Sequence, residues 1–209
     1  LETVFFAFDH PDSGTELARL DKDLTGPRVR FRYSNINPIA GAGSSPQDFA
    51  LGSHLFEPEN HLPRYVQALF FSADDGSHGR EYARWDWAHE QVIKKDLRPG
   101  SAGSNPSGFQ VVGNRTFFSA DNGVNGRELW MDNGMEATAM VKDILPGSSG
   151  SSPMSLAAFG SAVFFTAFNE EAGRELWKSD GTAAGTVPVK DIYPGVNGSG
   201  VSNLFRFSP

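Results

Sequence analysis

The chain has 209 residues, no cysteine and a formal net charge of −7. The missing cysteines exclude a disulfide framework and any thiolate metal site, and the acidic balance argues against nucleic acid or an anionic membrane surface as partner. With 39% apolar residues, 23 Gly, 13 Pro and 17 Phe, the composition is that of one turn-rich, strand-rich domain with its own core.

The chain opens at Leu1 without Met and without a signal-peptide pattern, as expected of a processed chain or an excerpt of a longer one. Its first predicted strand, "TVFFAF", introduces a Phe pair that returns at Phe70-Phe71, Phe117-Phe118 and Phe164-Phe165. The last three pairs are 47 residues apart; the first interval is 65. Each pair is followed by a Gly and then a Glu in fixed register: Gly14 and Glu16, Gly79 and Glu81, Gly126 and Glu128, Gly173 and Glu175. "YSNINPI", "KKDLRPG", "VKDILPG" and "VKDIYPG" close the four units. Repeats of this length describe solenoids or propellers.

Unit two carries the surplus residues, in "LGSHLFEPENHLPRYVQ" (51–67), between its first and second predicted strands. Irregular loops on a regular scaffold are where binding residues collect. The face that carries this insertion is expected also to carry "WDWAHE" (85–90). Together they offer Phe56, Arg64, Tyr65, Trp85, Trp87 and His89 as a contact surface, since Trp, Tyr and Arg are enriched at interface hot spots. The same stretch holds His54, His61, Glu57 and Glu59. Three His near carboxylates suit zinc, but without i,i+2 or i,i+4 pairing. The plain alternative is an insertion packed on its own unit.

Unit three gives the clearest strands: "SGFQVV", "TFFSA", "RELWM" and "AMVKDI", separated by Gly113-Asn114, "DNGVNG" and the turn around Asn133-Gly134. Asp, Asn and Gly there suit tight turns. Calcium is a weaker reading for the turns at Asp74, Asp75 and Asp121, which supply too few oxygens in a row. The longest apolar stretch, "LAAFGSAVFFTAF" in unit four, is too short to span a bilayer. The closing "VSNLFRF" reads as a first strand with no second after it. The expected fold is therefore an all-β propeller of four repeats, each of four strands. Asn203–Phe207 would pair beside Thr3–Phe8 to close the ring and hide two sheet edges; the rival reading is an excerpt of a larger propeller, cut at that hairpin. In residue ranges this is a single domain, 1–209. Blade one spans 1–36 plus 201–208, blade two 46–96, blade three 106–144 and blade four 153–192.

"GRELWKSDGTAAGTVPVKDIYPG" (173–195) resembles the ELWxxDGT repeat family. Unit four matches through Glu175-Leu176-Trp177, Asp180-Gly181-Thr182 and Gly185-Thr186. Unit three keeps Glu128-Leu129-Trp130. Units two and one retain only Glu81-Tyr82-Ala83 and Glu16-Leu17-Ala18. The resemblance implies tandem repeats, an extracellular or otherwise exported setting, and no catalytic motif. Two sequons, at Asn114 and Asn197, would accept glycans in such a setting.

Arg80, Arg127 and Arg174 precede the Glu in three units, and Asp96, Asp143 and Asp191 end the last strand of the same three. Unit one has Thr15 and Asn35 instead. The joint loss suggests a structural network of these residues with Glu81, Glu128 and Glu175, in which each Arg pairs with an Asp. The competing reading is a ring of carboxylates that holds a cation. The expected function is a non-catalytic interaction or scaffold module with a protein or glycan partner. The alternative is a carbohydrate-active enzyme with paired carboxylates at the channel mouth.

Overall fold

The computed structural model of the chain describes residues 2–22, 29–39, 42–56, 64–87, 89–134 and 137–204. They form four antiparallel sheets and no helix. Sheet 1 contains β1 (Glu2–His10), β2 (Gly14–Lys22) and β3 (Val29–Ser34). Sheet 2 contains β4 (Gln47–Phe56), β5 (Arg64–Asp74), β6 (Arg80–Asp86) and β7 (Gln91–Lys95). Sheet 3 contains β8 (Ser107–Val112), β9 (Arg115–Asp121), β10 (Arg127–Asp132) and β11 (Thr138–Lys142). Sheet 4 contains β12 (Met154–Phe159), β13 (Ala162–Asn169), β14 (Gly173–Ser179) and β15 (Val187–Lys190). Within every sheet each strand pairs with its sequence neighbour. The first strand of sheet 3, β8, lies beside β4 of sheet 2 and β12 of sheet 4.

The recurring Phe pair is explained by successive strand side chains pointing to opposite faces. In β9, Phe117 packs with Val163, Phe165 and Trp177 of sheet 4. Its neighbour Phe118 packs with Phe70 and Tyr82 of sheet 2. In β5, Phe70 faces sheet 3, and Phe71 joins Leu17 of sheet 1 and Ile36 of the connector that follows it. The two inner pairs thus each supply one ring to the sheet before and one to the sheet after, and full burial of each of these rings stabilises by about 1.5–3 kcal/mol.

Connectors between sheets turn on paired glycines. Gly126 and Gly150 both have positive φ, 66° and 64°. They face each other so closely that a Cβ on Gly126 would lie 2.5 Å from the Gly150 nitrogen. The pairs Gly14–Gly43, Gly79–Gly103 and Gly173–Gly198 repeat this contact, which only glycine tolerates.

One expectation changes, and another falls largely outside the described residues. The surplus residues of unit two do not form one long loop. β4 and β5 continue as a ladder through Ser53↔Gln67 and His54↔Val66 to Phe56↔Arg64, because the aromatic and β-branched residues in "SHLF" and "RYVQ" favour extended chain. Glu57, Glu59 and His61, together with the side chains of His54, Phe56 and Arg64, lie outside the described residues. Second, sheet 1 has three strands. Val201–Leu204 make no ladder, and residues 205–209 lie outside the described residues. Among the described residues nothing pairs with the outer edge of β1; the expected closing strand Asn203–Phe207 lies mostly outside the described residues.

Candidate functional site

The carboxylate shared by all four units ties each sheet to the connector that leaves it. Glu128 is fully buried. It accepts hydrogen bonds from the Leu145 N–H at 3.0 Å, the Ser151 N–H at 2.8 Å and the Ser151 hydroxyl at 2.5 Å. Glu81 takes the Leu97 and Ser104 N–H groups and the Ser104 hydroxyl. Glu16 takes the Ile36 N–H and the Ser44 hydroxyl. Glu175 takes the Ile192 and Tyr193 N–H groups and the Ser199 hydroxyl. Burial pushes the Glu81 and Glu128 carboxyls up, against these hydrogen bonds. At Glu175 burial acts the same way but the hydrogen bonds prevail, and the carboxyl is lowered.

The expected Arg–Asp pairs are not formed among the described residues. Arg127 donates to the carbonyls of Ser119 at 3.1 Å and Asn105 at 2.8 Å. Arg80 donates to the Ser72 carbonyl, and Arg174 to those of Ser152 and Thr166. These arginines satisfy carbonyl oxygens where a connector meets the next sheet. Asp143 instead accepts from the Asn125 amide at 2.7 Å, and Asp191 is exposed.

Asp74, Asp75 and Asp121 are engaged as turn formers. Asp74 accepts from the Gly76 N–H and Asp121 from the Gly123 N–H; Arg98 of the preceding connector also bonds Asp121. Asp75 takes two backbone N–H groups and lies 3.0 Å from His78 Nδ1 and 3.3 Å from Lys94 Nζ. Asp96 lies 4.0 Å from the other ring nitrogen of His78. The bond to Asp75 raises the His78 pKa above 6.5. His78 therefore stabilises the fold fully below the unfolded value and loses that contribution as pH rises through its folded value. An NMR titration is expected to place His78 above 6.5, and Asp75→Asn to return it to about 6.5.

Residues outside the repeat pattern gather between sheets 1 and 2. Arg19 and Arg32 lie directly opposite on β2 and β3. Arg19 is buried, 3.1 Å from Asp21, with its guanidinium 4.9 Å above the Trp85 ring. Glu90, from the β6–β7 turn, reaches across to Arg19 at 3.1 Å and Arg32 at 2.7 Å. Both arginines hold its carboxyl below the usual range, Arg19 contributing most. A cavity of about 150 Å3 opens here, walled by Phe5, Leu17, Tyr33 and Trp85.

The expected contact residues divide. Trp85 is buried in the core shared by sheets 1 and 2, not on the exposed face, because it packs beneath Arg19. Trp87 is half-buried against Phe5, ring centroids 5.2 Å apart. His89 is exposed with its Nδ1 2.7 Å from Asp86. Tyr65 is exposed, and its hydroxyl accepts from the Asn114 amide in the β8–β9 turn. One cluster had no signal in the sequence. Buried Asp132 of sheet 3 accepts from the Tyr82 hydroxyl at 2.5 Å and sits 3.6 Å from buried Arg84, both of sheet 2. Arg84 and Asp132 lie 48 positions apart in units of different wording.

Among the described residues no group of three or more His, Asp or Glu is placed to hold a metal ion, and no helix is long and apolar enough to cross a membrane. Comparison with protein-family models, with curated proteins and with solved structures gave no match.

Proposed function

We propose that this chain is a propeller of the ELWxxDGT repeat type, closed by its C-terminal strand, that serves as a non-catalytic interaction module in an exported setting. It engages a protein partner through the face where the β2–β3, β4–β5 and β6–β7 connections emerge. The supporting observation is how the polar residues are divided. The repeated glutamates serve the scaffold: Glu81, Glu128 and Glu175 take backbone and serine donors on both oxygens, and Glu16 on one. The charged and aromatic residues that break the repeat collect at sheets 1 and 2, beside the β4–β5 arm.

The arm supplies the test. Replacing Leu55–Tyr65 by Asn-Gly closes a two-residue hairpin on the His54↔Val66 pair. The shortened chain is expected to melt within a few degrees of the parent, because none of the arm's described side chains enters the cores between sheets. It is expected to lose proteins that the parent retains in affinity capture from its native source. Retention of the same proteins by the shortened chain would remove this face from the proposal.

A further inference from the structure

We propose that Arg19 and Arg32 form a binding site for a carboxylate carried on a flat apolar group, and that Glu90 is its tethered occupant in the unliganded chain. Two arginines directly opposite on paired strands repel each other. The equivalent cross-strand pairs in the other sheets are Arg84↔Ile93, Met131↔Ala139 and Lys178↔Val187. The scaffold therefore does not call for this arrangement.

Asp21 offsets one of the two positive charges. Among the described residues the other is offset by Glu90, whose side chain is 56% exposed. Arg19 is far less free. It is buried, braced by Asp21 and seated on Trp85, a combination of ion pair and cation–π contact that fixes a guanidinium for bidentate recognition. Glu90 also carries a backbone φ of 52°, a left-handed conformation unusual for a glutamate. Such strain marks sites whose geometry is imposed by the surroundings. The occupant is thus the most exposed and most strained member of the site, and the receptor groups include its most rigid one.

The cavity beside the arginines holds about 150 Å3, and a void near that size accommodates a benzene ring. Phe5, Leu17, Tyr33 and Trp85 give it apolar walls. Benzoate matches both halves of the site. Its carboxylate would take over the Glu90 contacts to Arg19 and Arg32 while Glu90 turns to solvent; no covalent step is involved.

The test titrates benzoate into the full chain and into Glu90→Gln and Glu90→Ala, following the Trp85 indole N–H by NMR. Both variants are expected to bind benzoate at least about ten-fold more tightly than the parent, because the internal competitor is gone. Benzamide should not bind, and adding Arg32→Gln to Glu90→Gln should cost about ten-fold, the loss of one charge-assisted contact. A tripeptide ending in a free Phe carboxylate, run beside benzoate, assigns the source: tighter peptide binding means a polypeptide C-terminus, tighter benzoate a small acid. Equal binding by parent and variants, no binding by either variant, or benzamide matching benzoate would overturn the proposal. Loss of folding in both variants would also overturn it, since Glu90 would then be a strap between sheets. The site deepens the reading of this face as a contact surface but is tested separately. A failed titration leaves the affinity-capture result standing.

Discussion

Replacing Glu128 by alanine is expected to lower the unfolding free energy by about 3–5 kcal/mol, since each buried N–H left without an acceptor costs about 1–3 kcal/mol. The Leu145 and Ser151 N–H groups both lose their acceptor, and the Ser151 hydroxyl, which can rotate, loses its own. A void remains where the side chain was fully buried. Glu128→Gln should cost less, because one oxygen still accepts while the amide nitrogen meets a donor. The pH dependence has a defined sign. Burial raises this carboxyl above its ordinary value, so protonation favours the folded state. The stability that comes from this proton is fully present below the unfolded pKa and lost as pH rises through the folded one, separately from the hydrogen bonds that the alanine variant lacks at every pH. Urea denaturation of the parent and both variants at pH 7 reads the first effect. The same curves at pH 4.5–6 read the second. A loss under 1 kcal/mol for the alanine variant would mean that water satisfies the connector and that the shared Glu is not what ties it to the sheet.

How much of this was legible in the sequence follows from what letters encode. The Phe pairs, the Gly–Glu register and the strands of unit three translate directly. "SGFQVV" is β8, and "TFFSA" and "RELWM" lie inside β9 and β10. Side-chain periodicity is a property of the residues themselves. The role of Glu128 was not legible, because its partners are mainly backbone N–H groups, which every residue carries. The same blindness produced the Arg127–Asp143 pairing. Two recurring opposite charges invite an ion pair, while the carbonyls that hold Arg127 leave no trace in composition. Pro58 and Pro63 pointed to a loop in unit two, whereas "SHLF" and "RYVQ" on either side form the arm's ladder. Arg19 and Glu90 are 71 residues apart in sequence, and no motif links them.

Deleting Val201–Pro209 is expected to destabilise the whole domain and to promote self-association, and the reason lies in the two end sheets. Ile192 is 48% exposed, whereas its counterparts Ile36 and Ile144 are 4% and 8% exposed beneath the next sheet. Phe164 and Leu176 are half-buried where Phe117 and Leu129 are fully buried. On sheet 1, Val4 and Phe31 are exposed. These are the forward face of one repeat and the backward face of another, each without its neighbour. The segment before residue 205 already has the shape of a strand start. Gly198, Gly200 and Asn203 have φ of 67°, 64° and 55°, matching Gly150, Ser152 and Ser155 at 64°, 48° and 53°. The Asn203 N–H reaches the Ser155 hydroxyl of sheet 4. Beside β1 lies a space of about 550 Å3 lined by Val4, Phe5, Phe49 and Leu51. The registers Leu51↔Leu69, Val111↔Thr116 and Ala158↔Val163 agree on where a closing strand would fall; by the same alignment such a strand would bring position 206 opposite Val4. In a chain without cysteine, Val4→Cys with Arg206→Cys gives a direct readout. Oxidation should form one intramolecular disulfide and raise stability by about 5 kcal/mol, as expected for a loop of this length. The bared β1 edge of the truncated chain would pair with other copies. A truncated chain that stays monomeric and melts like the parent, with cysteines that do not join, would show that sheet 1 and sheet 4 take other neighbours.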